Sequence, residues 1–130
     1  MATIQFQVDG LRELQQALAR AGIDAVPKLR TAMGSAALIV QNAAKIKAPY
    51  KSGNLRRSIH HEVTTEQGQV EAIVGTNVEY ARRMEYGFAG RDSRGRLYNQ
   101  PAKPYLRPAL EENRERVIRE INEALRDLLP

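Results

Sequence analysis

Ala48-Pro49-Tyr50-Lys51-Ser52-Gly53-Asn54-Leu55-Arg56-Arg57-Ser58-Ile59 divides the chain into two kinds of pattern. Before it runs a long alanine-rich segment with helical spacing; after it the apolar period falls to two, the mark of strands. Pro49 has no N–H to donate and Gly53 tolerates positive φ, so the pair is expected to end the helix. Lys47, Lys51, Arg56 and Arg57 crowd this corner, and no Asp or Glu occurs from Pro27 to His61. The rest of the chain reads as one sheet and two flanking helices joined here.

Upstream, Ile4, Phe6 and Val8 alternate with Gln5 and Gln7, which predicts a short half-buried strand. Asp9 is placed to cap a helix in which Leu11, Leu14 and Leu18 share a face, with Gly22 beyond its end. Asp24 is the expected cap of the long helix, and Pro27 is tolerated in its first turn. Along it, Val26, Leu29, Met33, Ala36, Val40 and Ala43 recur at alternating spacings of three and four. Ala25, Ala32, Ile39 and Ile46 form a second stripe at spacing seven. At 1.5 Å per residue this is a rod of ~36 Å, longer than a small sheet covers. Ala32, Gly34, Ala36, Ala37, Ala43 and Ala44 would admit another backbone closely. A central core helix is expected, and one end or face is also a candidate for packing on a neighbouring subunit.

Downstream, Ile59, His61, Val63 and Thr65 share one face of a strand. Gln67-Gly68 turns, and Val70, Ala72 and Val74 return, giving an antiparallel hairpin. His60 and His61 point to opposite faces, so the pair reads as solvated and not as a joint metal site. Val78 to Gly87 reads as a short helix with Tyr80, Ala81 and Met84 on its apolar side. Phe88 to Lys103 shows no usable period and several turn residues, and is expected to be a long basic loop carrying Arg91, Arg94, Arg96, Leu97 and Tyr98. Pro108 suits the first turn of a final amphipathic helix whose buried stripe is Leu110, Val117, Ile121, Ala124 and Leu128, joined by Ile118 and Leu125. Glu112 and Arg116 stand i,i+4 on its polar face.

The fold class expected is α+β: an antiparallel sheet made of the N-terminal strand and the central hairpin, packed by a long central helix and a C-terminal helix. The 130 residues fit one domain. Aromatics are only 5% and Trp is absent, so the core rests on Ala, Val, Ile and Leu and is thin enough to leave room for completion by oligomerisation. With no cysteine there is neither a disulfide framework nor a thiolate metal site, as suits a reducing cytosol. The N-terminal residues lack a basic and apolar leader pattern, and no segment approaches the ~20 apolar residues of a membrane span.

No HExxH, CxxC, GxSxG or phosphate-loop spacing occurs, and the serines lack an evident base partner, so no enzyme activity, cofactor or metal is expected. The net charge of +5 favours acidic surroundings, either nucleic acid or an acidic protein neighbour. Clustered cations neutralise phosphate without reading sequence, and no helix-turn-helix, zinc-finger or RNA-recognition pattern is legible. Any DNA contact is therefore expected to be non-specific.

Three blocks carry a resemblance. Ala48-Pro49, Ser52-Gly53, Leu55-Arg56 and Ser58-Ile59 resemble the "AP-x-x-(S/T)-G-x-L-(R/K)-x-S-I" signature of a tail-component family of long-tailed bacteriophages. Val74-Gly75-Thr76-Asn77, with Tyr80-Ala81 and Glu85-Tyr86-Gly87, is similar to its "Y-A-x-x-(V/M)-E-x-G". Pro101 through Pro104-Tyr105-Leu106-Arg107-Pro108-Ala109-Leu110 is similar to its "(R/K)-P-F-L-(R/K)-P-A-L", with Tyr105 in place of the commoner Phe. The resemblance implies a virion structural protein, assembled in the host cytoplasm. Its expected role is as a tail-completion or head-to-tail joining subunit that forms a ring, typically hexameric, at the phage neck. The implied partners are copies of itself, a head connector or stopper, and tail-tube or tail-terminator proteins, with double-stranded DNA passing through. On this reading Phe88, Arg91, Arg94, Arg96, Leu97 and Tyr98 reach an adjacent subunit or ring. Arg56, Arg57, Arg94 and Arg96 either face the lumen or pair with acidic surfaces of neighbouring rings. A free, non-specific nucleic-acid-binding protein is the alternative.

Overall fold

Helix α2 (Val26–Lys47) is the element on which the others pack. The computed structural model describes residues 2–20, 22, 24–49, 53–66, 68–91 and 93–128, with the backbone alone at Leu11 and Tyr98. Strand β1 (Ala2–Val8) and helix α1 (Leu11–Ala19) precede α2. After it come α3 (Asn54–Ser58), β2 (His60–Glu66), β3 (Gln69–Thr76), α4 (Ala81–Tyr86), β4 (Phe88–Arg91), β5 (Leu97–Gln100), α5 (Leu106–Glu112) and α6 (Arg114–Asp127).

The expected α+β architecture is what forms. A three-stranded antiparallel sheet has the order β1-β3-β2. Its register sets Ile4 opposite Val74, Phe6 opposite Ala72 and Val63 opposite Ala72, so the alternating apolar residues share one face. That face packs on α2, and α5 and α6 pack against α2 in turn. Leu29, Met33, Ala36, Ala37, Val40 and Ala44 of α2 are fully buried. Ala32, Ala36, Ala37 and Ala44 thus serve the chain's own core, where close approach of layers needs small side chains. The second stripe fails at its end: Ala25 and Ala32 are buried, but Ile46 is 78% exposed. A seven-residue repeat drifts ~20° per heptad on a straight helix, and over three heptads that rotates Ile46 out of the core.

Nothing approaches the Cβ position of Gly34 within 4 Å, and its φ is ordinary. Gly34→Ala is therefore expected to stabilise the protein by about 0.5–1 kcal/mol, the helix-propensity difference, read as a raised denaturation midpoint with unchanged slope.

Several local expectations are corrected. Asp9 accepts a hydrogen bond from Gln7 Nε2 (3.0 Å) and does not cap α1, whose N-cap is Gly10. Asp24 is not the N-cap of α2, which is Ala25, but stands one residue before it and accepts from the Val26 N–H at 3.1 Å. Helix α2 ends because Ala48, preceding proline, is extended (φ −61°, ψ 134°). Gly53 does not end α2; it opens α3, a single turn that the sequence pattern did not reveal. His60 and His61 do face opposite ways, but His61 is part-buried and bonded to Gln41 of α2, while His60 Nδ1 meets the Ser58 carbonyl at 3.0 Å.

The final helix is two helices. Asn113 (φ −108°, ψ 11°) breaks it, its amide donating back to the Ala109 carbonyl at 2.9 Å. Glu112 pairs with Lys47 of α2 instead of Arg116, which turns to Asn113 Oδ1 (3.4 Å). Ile118 is 47% exposed and stands outside the buried stripe.

The largest correction is Phe88 to Lys103. It is an antiparallel hairpin, with Phe88 opposite Gln100 and Arg91 opposite Leu97. No period was legible because each strand is only four residues long, and the side chains described in them are exposed or half-buried.

Candidate functional site

The three sequence blocks are tied in space by polar links, part-buried between the first two and buried between the second and third. Ser58 Oγ donates to the Leu55 carbonyl at 2.7 Å, which uses its one proton, so the Thr76 hydroxyl donates to Ser58 Oγ. Thr76 in turn accepts from the Val78 N–H at 3.1 Å. This chain ties the α3 turn to the end of β3, with Leu55 and Ile59 buried alongside.

Glu85, the acid of the second block, is 6% exposed. Its Oε1 accepts from the N–H groups of Tyr105 (3.0 Å) and Leu106 (2.7 Å), and its Oε2 from Arg107 (3.4 Å). The start of α5 has no cap from its own side chains; a carboxylate from α4 supplies it, favoured by the positive end of the helix. The Tyr105 hydroxyl donates to the Ala81 carbonyl at 3.3 Å. Burial first, and the Glu85 charge second, push its phenol well above its ordinary range, so it remains a donor. The Lys103 N–H adds a bond to the Met84 carbonyl at 2.7 Å. Lys103, Tyr105, Leu106 and Arg107 are thus welded to Ala81, Met84 and Glu85.

The weld holds the foot of the β4–β5 hairpin. Gly87 leaves α4 with φ 78° and ψ 175°, and a Cβ there would lie 2.9 Å from the Gln100 carbonyl oxygen and 3.0 Å from the Ala102 nitrogen. The Arg83 guanidinium stacks 4.2 Å from the centroid of Phe88. At the far end the Arg91 guanidinium donates to the Gly95 carbonyl at 3.0 Å. Arg91, Arg94 and Arg96 are exposed, Leu97 is 74% exposed and Tyr86, beside the foot, 62%. Tyr98 sits in β5 opposite Gly90.

A cleft of about 470 Å³ opens between the end of α2 and this foot, lined by Lys47, Pro49, Tyr80, Met84, Gln100, Lys103 and Pro104. Arg56 and Arg57 are exposed on α3, where Arg57 donates to Asn54 Oδ1 at 2.6 Å. They occupy a different element from the hairpin arginines. Lys51 and Asp92 lie outside the described residues. Two features escaped the sequence reading. One is the buried cap by Glu85, whose only signal was an acid two positions before a glycine. The other is the convergence of Lys47 and Lys103, far apart in the chain, for which no signal existed. Among the described residues no helix is long and apolar enough to cross a membrane.

Fold and surface together define a small α+β protein whose β4–β5 hairpin sets an exposed leucine, Leu97, among the exposed cations Arg91, Arg94 and Arg96. A family model described as "Bacteriophage HK97-gp10, putative tail-component" matches residues 12–87, more than half the chain. The chain belongs to this family of bacteriophage tail components. The matched region stops at Gly87, the foot of the hairpin. No curated protein and no solved structure matches the chain.

Proposed function

We propose that this chain is a tail-completion or head-to-tail joining subunit. It would form a ring at the phage neck, typically of six copies, between the head connector or stopper and the tail-tube or tail-terminator proteins. It acts in the virion by contact and performs no reaction. The observation that carries this is the hairpin: a rigidly footed projection with exposed Leu97 and three arginines, on a subunit of a tail-component family. Water-exposed apolar residues of that size, set among arginines, suit a protein partner. Arg56 and Arg57, with Arg94 and Arg96, supply cations either to passing DNA, which they would screen without gripping, or to acidic surfaces of adjoining rings.

Deleting Gly90–Gln100 tests the reading in assembled particles. The expected result is a folded chain, with an unchanged far-ultraviolet spectrum for the helices, that fails to join heads to tails. Normal particle assembly by the deletion variant would remove the hairpin from the interface. Particles that lack the wild-type protein altogether would remove the proposed role.

A further inference from the structure

The β1-β3-β2 sheet has a second face, turned away from α2. It carries Glu62 and Glu66 from β2 and Glu71 from β3, and none of the three strands contains a lysine or arginine. Arg12 of α1 lies against the Gly68 turn at one end. At the centre of this face stands Ile73, flanked in register by Gln5 on β1 and Glu62 on β2. Ile73 is half-buried yet takes no part in the core, whereas its neighbours Ala72 and Val74 are fully buried on the other side. The face is thus an apolar point rimmed by carboxylates. The hairpin is its counterpart: Leu97 at 74% exposure, with Arg91, Arg94 and Arg96 about it. In a chain of net charge +5 this is a sharp separation of sign between two surfaces.

We propose that the β4–β5 hairpin of one copy docks on the outer sheet face of the next, with Leu97 over Ile73 and the arginines on Glu62, Glu66 and Glu71. The donor and acceptor surfaces are different parts of the same chain, so the contact is heterologous and propagates from copy to copy until it closes. Duplex DNA is the poorer occupant of the hairpin: phosphate needs cations and gains nothing from an exposed leucine. The inference rests on the ring reading above and names the surface that reading leaves open.

Charge reversal tests it, because the two halves separate cleanly. One variant carries Glu62→Arg, Glu66→Arg and Glu71→Arg; the other carries Arg91→Glu, Arg94→Glu and Arg96→Glu. Each alone is expected to sediment as a single chain at low salt, with association falling at least tenfold from wild type. An equimolar mixture is expected to associate again, since every basic hairpin then finds an acidic sheet and every acidic hairpin a basic one. A cysteine pair covers the case in which reversal harms folding: the chain has no cysteine of its own, so mixed Glu62→Cys and Leu97→Cys chains should give the mixed disulfide well above either homodimer. A mixture that stays dissociated, either reversal variant assembling like wild type, or wild type that never associates would each overturn the contact. So would loss of duplex DNA binding by the hairpin variant with assembly intact. A ring of normal mass with no mixed disulfide overturns this contact alone and leaves the ring reading standing.

Discussion

Glu85→Ala is expected to destabilise the protein by about 3–5 kcal/mol, because it strips two buried backbone donors of a charged acceptor worth ~1.5–3 kcal/mol each. The donors are the N–H groups of Tyr105 and Leu106, both in residues no more than 1% exposed, so water does not replace the lost partner. The start of α5 then has no cap, and the Tyr105 ring loses the anchor that holds its backbone against α4. For a chain of this size the change corresponds to a melting temperature lower by on the order of 10 °C. Glu85→Gln keeps one carbonyl acceptor and presents an amide N–H to Arg107, so it is expected to lose roughly half as much. A Glu85→Ala protein that melts within about 2 °C of wild type would remove the capping role.

Gly87→Ala is expected to act on the hairpin before it acts on the core. Its φ of 78° with ψ of 175° falls in a region that is essentially glycine-only, at a cost of about 1–3 kcal/mol for any other residue. The added Cβ also meets backbone, the Gln100 oxygen at 2.9 Å and the Ala102 nitrogen at 3.0 Å, and neither is a flexible side-chain end. The cheapest relief is for β5 and Pro101 to move away from the end of α4, which unseats the hairpin while α2 and the three-stranded sheet keep their contacts. Amide exchange in Phe88–Gln100 is expected to accelerate at least tenfold with the α2 amides unchanged, and copy-to-copy association to weaken in parallel. Unchanged exchange in the hairpin would show that the foot tolerates a side chain. Gly34→Ala, with no neighbour at its Cβ, is the matched control with the opposite expected sign.

Much of the fold was legible where burial imposed a period. The alternation of Ile4, Phe6 and Val8 and of Val70, Ala72 and Val74, and the spacing of Leu29, Met33, Ala36 and Val40, each mark one face turned to a common core. The sequence by itself settled the α+β class, the long helix, the central hairpin and the two blocks that fall inside the region matched to a phage tail family. Tertiary structure alone decided three things. It made strands β4 and β5 a hairpin within Phe88–Lys103, since strands of four residues are too short to show a period. It broke the final helix at Asn113, where a side-chain bond to Ala109 competes with the backbone ladder. It made Glu85 a cap for a helix 21 residues away from it in the chain, because a carboxylate reads alike in any sequence until the fold shows which donors surround it.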